Sequence, residues 1–100
     1  NEELSANKEM EVLVKDCFNK LEFLCTGVNI GIYDIDVLER LYGDVMVRIY
    51  YQFYDYIRYR REDRKTEIVY AEFESTVKKM EKIQQRKELV NRNAEYKMKL

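Results

Sequence analysis

Met10, Leu13, Val14, Cys17, Phe18, Leu21, Leu24 and Cys25 recur at spacings of three and four along the first quarter of the chain. That is the one-sided stripe of an amphipathic helix. Gly27 follows the last of them, where a glycine can take the left-handed conformation that closes a helix, so the first helix is expected to end there. The segment "VNIGIYD" is apolar but too short for a helix and is broken by Gly31. It reads as a connecting loop with Val28, Ile30 and Ile32 tucked partly inward. Asp34 has the right chemistry to cap the next helix, which begins "IDVLERLY".

Gly43-Asp44 reads either as a sharp corner, with Asp44 capping a new helix, or as a weak point inside a continuous one. The corner is the favoured reading, with the helix from Asp44 running to about Glu62 and Asp44 placed to pair with Arg48 one turn on. Thr66 is a fitting cap for the last helix, with Glu67 at the positive end of its dipole. The stripe of that helix is Val69, Phe73, Val77, Met80 and Ile83, with Tyr70 and Thr76 beside it. Beyond Gln84 the apolar signal thins to Leu89, Val90, Ala94 and Met98. Residues 84–100 therefore extend the helix, join a partner helix, or fray.

The reading that uses every stripe is all-α: one domain over residues 1–100, a small bundle of three long helices and one short one, the short one second. Composition agrees, because proline is absent and glycine occurs only at positions 27, 31 and 43. Sheet-rich folds need more of both to reverse direction. At 100 residues, the chain is long enough for one core without staples.

The segment 47–65 is rich in tyrosine and in cations. On a helix, Met46, Ile49, Tyr50, Phe53 and Ile57 share one face, which Tyr42 continues upstream, and Val47, Tyr51, Tyr54 and Arg58 form a second stripe beside it. Arg48, Gln52, Asp55 and Tyr59 are left as the solvated positions. Apolar character over two adjoining faces places such a helix in the middle of a bundle, with its hydroxyls reaching the rim. The same tyrosines beside Arg58, Arg61, Arg64 and Lys65 also suit base stacking on single-stranded nucleic acid, with Lys78, Lys79 and Lys82 as further phosphate contacts. Glu62 and Asp63 dilute that cluster, and the formal net charge of the chain is −1, so phosphate would feel little long-range field. Charge is uneven, however. Residues 1–57 carry 11 acids and 5 bases, and residues 58–100 carry 8 acids and 13 bases.

Candidate chemistry is sparse. Histidine, the commonest general base and metal ligand, is absent. Cys17 and Cys25 on one helix lie about 12 Å apart, too far for a disulfide, and read as reduced, buried, inert thiols. Asp34, Asp36, Glu39 and Asp44 lack the spacing of a calcium loop and read as caps and dipole complements. The glycines of "GVNIG" match no phosphate-binding fingerprint. No catalytic set, metal site or cofactor is expected.

The stretch "LEFLCTGVNIGIYDIDVLERLYGDVMVRIYYQFYDYIRYRR" resembles a bacterial and phage family of helical domains of unknown function. The resemblance spans about Leu21 to Met80, with fixed points at Glu22, Gly27, Gly31, Asp34, Gly43 and Arg48. Where members often carry tryptophan after the arginine, this chain has Tyr50 and Tyr51. The resemblance implies a cytoplasmic domain on the inner face of a membrane, preceded in the whole protein by one or two membrane helices. A chain that begins at Asn1 fits that expectation, and no segment of its own approaches the roughly 18 apolar residues that cross a bilayer.

The functional expectation is a non-enzymatic module for protein contact or self-association. Its surface would consist of Val47, Tyr51, Tyr54 and Arg58, joined by Leu89, Val90 and Ala94 of the tail. Nucleic-acid binding through 47–65 is the alternative.

Overall fold

A computed structural model describes the backbone of residues 2–99 and the side chains of residues 7–98. The chain is all-α. Its helices are α1 (Glu2–Asn29), α2 (Ile35–Gln52), α3 (Tyr54–Arg64) and α4 (Ala71–Lys99), with no strand among the described residues. Leu100, the last residue of the predicted tail, lies outside them.

Cross-helix hydrogen bonds give the directions. Glu22 meets Phe73, and Asn29 meets Lys79, so α1 and α4 run parallel. Tyr50 meets Glu74, while Asp44 meets Gln84, so α2 runs antiparallel to α4. The middle helix is thus α4, which packs on both α1 and α2. The tyrosine-rich segment flanks it and does not occupy the centre. The long helices overlap only partly, giving a rod with extents of 66 × 31 × 23 Å.

Phe73, Val77, Met80 and Ile57 are fully buried, each contributing about 1.5–3 kcal/mol relative to exposure. Phe18 of α1 anchors one end of this core, its ring within 5.8 Å of those of Phe53, Tyr56, Tyr70 and Phe73.

Several boundaries differ from the sequence expectation. Gly27 does not end α1, which continues to Asn29. It is buried inside the helix, where a Cβ would fall 2.6 Å from the Tyr33 ring. The left-handed residue is Gly31, at φ +86. A Cβ there meets nothing within 4 Å, so Gly31→Ala should cost about 1–2 kcal/mol through backbone strain alone. Urea unfolding reads that loss as a lower midpoint at unchanged slope. Of the loop's apolar residues Val28 is buried, but Ile30 and Ile32 are exposed.

Gly43 forms no corner. It lies within a continuous α2, buried against Glu39 and Gln84, and close helix approach accounts for it better than a turn does. Asp44 accepts from Gln84 across to α4 rather than pairing with Arg48. The break comes ten residues later at Phe53, whose ring turns onto Phe18. The expected helix from Asp44 to Glu62 is consequently two, and the short helix is the third. Phe53 keeps a third of its surface in water, and Tyr51 and Tyr54 are exposed as well.

Thr66 caps a turn rather than a helix, its hydroxyl accepting from the Ile68 N–H. Four turn residues follow, and α4 starts at Ala71. The last of these, Tyr70, sits at φ 60. The left-handed conformation costs about 1–2 kcal/mol there, and burial of its ring against Phe18 offsets it. Cys17 is exposed, contrary to expectation, because it stands about 100° round α1 from Phe18, whose ring enters the core, whereas Cys25 is fully buried. Desolvation pushes the Cys25 thiol up to about 11, so it stays protonated.

Candidate interaction surface

Beneath the aromatic face lies a polar network that no local pattern announces. Arg61 is almost fully buried. Its Nε donates to the Val69 carbonyl at 2.8 Å and its Nη1 to Glu74 Oε2 at 3.1 Å. The Tyr50 hydroxyl donates to the same carboxylate oxygen at 2.7 Å. Two donors on one carboxylate, Tyr50 foremost, hold Glu74 below the ordinary carboxylate range. Burial and the neighbouring carboxylate push the Tyr50 phenol well above its usual value. Burial likewise pushes Tyr56 up to about 12.

The outer stripe adds a second layer. Arg58 donates to Glu67 at 3.0 Å. Lys78 donates to the Tyr51 hydroxyl at 2.9 Å and stands 5.1 Å from the centre of that ring. Tyr51 in turn donates to Glu81 at 2.9 Å. Val47 is half-buried against the core, and Tyr54 packs edge-on to Tyr50 with ring centres 5.9 Å apart. Val47, Tyr51, Tyr54 and Arg58 therefore share one face of α2 and α3, but their polar groups are largely engaged within the chain. Leu89, Val90 and Ala94 lie far along α4 and are exposed. They form a separate surface, not a continuation of the first.

The cations suited to phosphate are scattered in the same way. Arg58 and Arg61 face carboxylates. Lys79 donates to Asn29 of α1 while Lys78 turns to Tyr51 of α2, so these two lysines leave α4 on opposite flanks. Arg64, Lys65 and Lys82 are exposed. Of the acids considered for a metal, Asp34 caps α2 by accepting the Asp36 and Val37 N–H groups. Glu39 is buried and held by Lys87. Among the described residues no three potential ligands gather, and no helix is long and apolar enough to cross a membrane.

The opposite edge of α4 is closed by α1. The two carboxylate oxygens of Glu22 accept the Phe73 N–H at 2.7 Å and the Glu72 N–H at 3.1 Å. These are first-turn donors that α4 itself leaves without a partner. Burial raises the Glu22 carboxyl, and the two N–H bonds oppose the rise. Asn29 completes the seam by donating to the Glu72 side chain at 2.6 Å.

Glu22, Gly27, Gly31, Asp34 and Gly43 thus all do architectural work: closing α4, admitting Tyr33, reversing the chain, capping α2 and letting α2 approach α4. In a comparison with known families, the pattern of DUF4760, a domain of unknown function, matches residues 1–80. The chain belongs to the DUF4760 family. No curated protein and no solved structure matches it. The family match stops at residue 80, so it leaves out buried Ile83 and the Gln84 and Lys87 contacts to α2 as well as Leu89, Val90 and Ala94.

Proposed function

We propose that this DUF4760 domain is a non-enzymatic module for protein contact, chiefly self-association, and that it serves as the cytoplasmic part of a membrane-tethered bacterial or phage protein. The observation that carries the reading is where apolar surface remains. Met10, Leu13, Leu89, Val90 and Tyr96 are each more than half exposed. They sit on the stretches of α1 and α4 that run beyond the packed middle of the rod. Val37, Leu41 and Val45 of α2 are left at least half exposed at helical spacing as well. What sets the two ends apart is that their apolar residues lie among charges of opposite sign, as in a surface that another molecule covers. Membrane tethering rests on the family resemblance alone.

Nucleic-acid binding has weaker support, because the arginines and tyrosines it would use are engaged with Glu67, Glu74 and Glu81. Sedimentation over a wide concentration range tests the main reading. The weight-average mass should rise above that of one chain; a constant monomer mass would defeat self-association. A labelled oligonucleotide that shifts at low salt, with affinity falling steeply as salt rises, would favour the alternative.

A further inference from the structure

The two overhanging stretches are oppositely charged. Residues 1–17 carry five acids and two lysines, whereas residues 84–100 carry five lysines and arginines and two acids. Each stretch also presents an apolar stripe. On α1, Met10, Leu13 and Cys17 are exposed at spacings of three and four. On α4, Val90, Ala94 and Met98 are exposed at spacings of four. Acids at a helix start and bases at a helix end also complement the helix dipole. Dipole complementarity, however, gives no reason for apolar side chains in water between those charges.

Because α1 and α4 run parallel and overhang opposite ends, one chain cannot bring its own two stretches together. A second copy turned end for end can. We propose that the Met10, Leu13 and Cys17 stripe of α1 packs antiparallel against Val90, Ala94 and Met98 of α4 in a second copy. Cys17 then faces Val90, Leu13 faces Ala94 and Met10 faces Met98, a register that holds across three turns. On one side of the contact Glu9 and Asp16, which flank the α1 stripe, meet Arg86 and Lys97, which flank the α4 stripe. This pairing rests on the self-association reading and specifies its interface. Each contact alone is small, and the end-for-end arrangement engages both stretches of both chains. That doubles the area toward the range of a stable dimer.

Two reversed chains test it. Glu9→Lys with Asp16→Lys makes the contacting flank of α1 basic, and Arg86→Glu with Lys97→Glu makes that of α4 acidic. All four positions are exposed, so the fold should survive, and circular dichroism checks that. Each reversed chain alone should associate about tenfold or more weakly than wild type, by like-charge repulsion across the contact. An equimolar mixture should regain association, since every facing pair is again opposite in sign. In a Val90→Cys chain, mild oxidation should link Cys17 of one copy to position 90 of another.

If wild type associates but the reversals change nothing, or the cross-link joins Cys17 to Cys17, the pairing is wrong and self-association stands. If wild type stays monomeric throughout, both fall.

Discussion

Phe73→Ala should lower stability by about 3–5 kcal/mol, the usual cost of emptying a buried phenylalanine site. Phe73 is fully buried on the central helix, between Phe18 of α1 and Tyr50 of α2, at ring separations of 5.8 Å from each. Neither neighbour can fill the void without leaving its own helix. Against a typical domain stability of about 5–15 kcal/mol, the loss brings the chain near its folding threshold. The control is Phe23→Ala on the outer face of α1, where the ring is 79% exposed and the change should stay within about 0.5 kcal/mol. Urea unfolding of both chains separates burial from residue type. Equal losses at the two sites would mean that α4 is not the centre of the core.

The second large effect belongs to Glu74. Its removal leaves the Arg61 guanidinium in the interior with only the Val69 carbonyl and Glu67, 3.7 Å away, and strips the Tyr50 hydroxyl of its acceptor. Stranding a buried cation costs about 3–5 kcal/mol where no partner remains. Glu67 remains here, and Glu74 itself is partly exposed, so Glu74→Ala should cost about 2–3 kcal/mol on that scale. Adding Arg61→Met removes the stranded charge and should recover part of the loss, which a double-mutant cycle reads as a favourable coupling between the two sites.

The pH dependence has a defined sign. Glu74 is held below the ordinary carboxylate range in the folded chain, so its stabilisation is present above that range and is lost as pH falls through the folded value. Glu74→Ala should therefore show a shallower acid limb than wild type. An acid limb of unchanged slope would remove Glu74 from the network.

The helical class and the buried stripe from Tyr70 through Ile83 are legible in the sequence because α4 is buried along a single face and the 3.6-residue period survives. Asp34 is legible as a cap for the same reason: its role is local. The glycines mislead. Gly27 and Gly43 stand where a helix end is plausible, but both are small because another group comes close, Tyr33 in one case and the Glu39 and Gln84 side chains in the other. Only the tertiary neighbour distinguishes the two uses. The break at Phe53 carries no proline or glycine and accompanies a contact with Phe18, 35 positions earlier in the chain. Arg61 sits in a run of surface-like charge, and nothing local sets it apart from Arg60 or Arg64. Its burial depends on Glu74, thirteen residues later on another helix. The aromatic face is read half correctly. Tyr50 and Ile57 are core, while Tyr51 and Tyr54 stand at its edge, and the packed middle belongs to α4.

The central claim is that the overhanging stretches of α1 and α4, and not the tyrosine face, meet other molecules. Amide hydrogen exchange of the wild-type chain, compared between dilute and concentrated solution, tests it most directly. The account predicts that residues 7–17 and 85–98 exchange freely when dilute and become protected on concentration, while the core around Phe73 and Val77 is protected in both. Protection that instead appears over Val47 to Arg58, with both ends still exchanging freely, would contradict it.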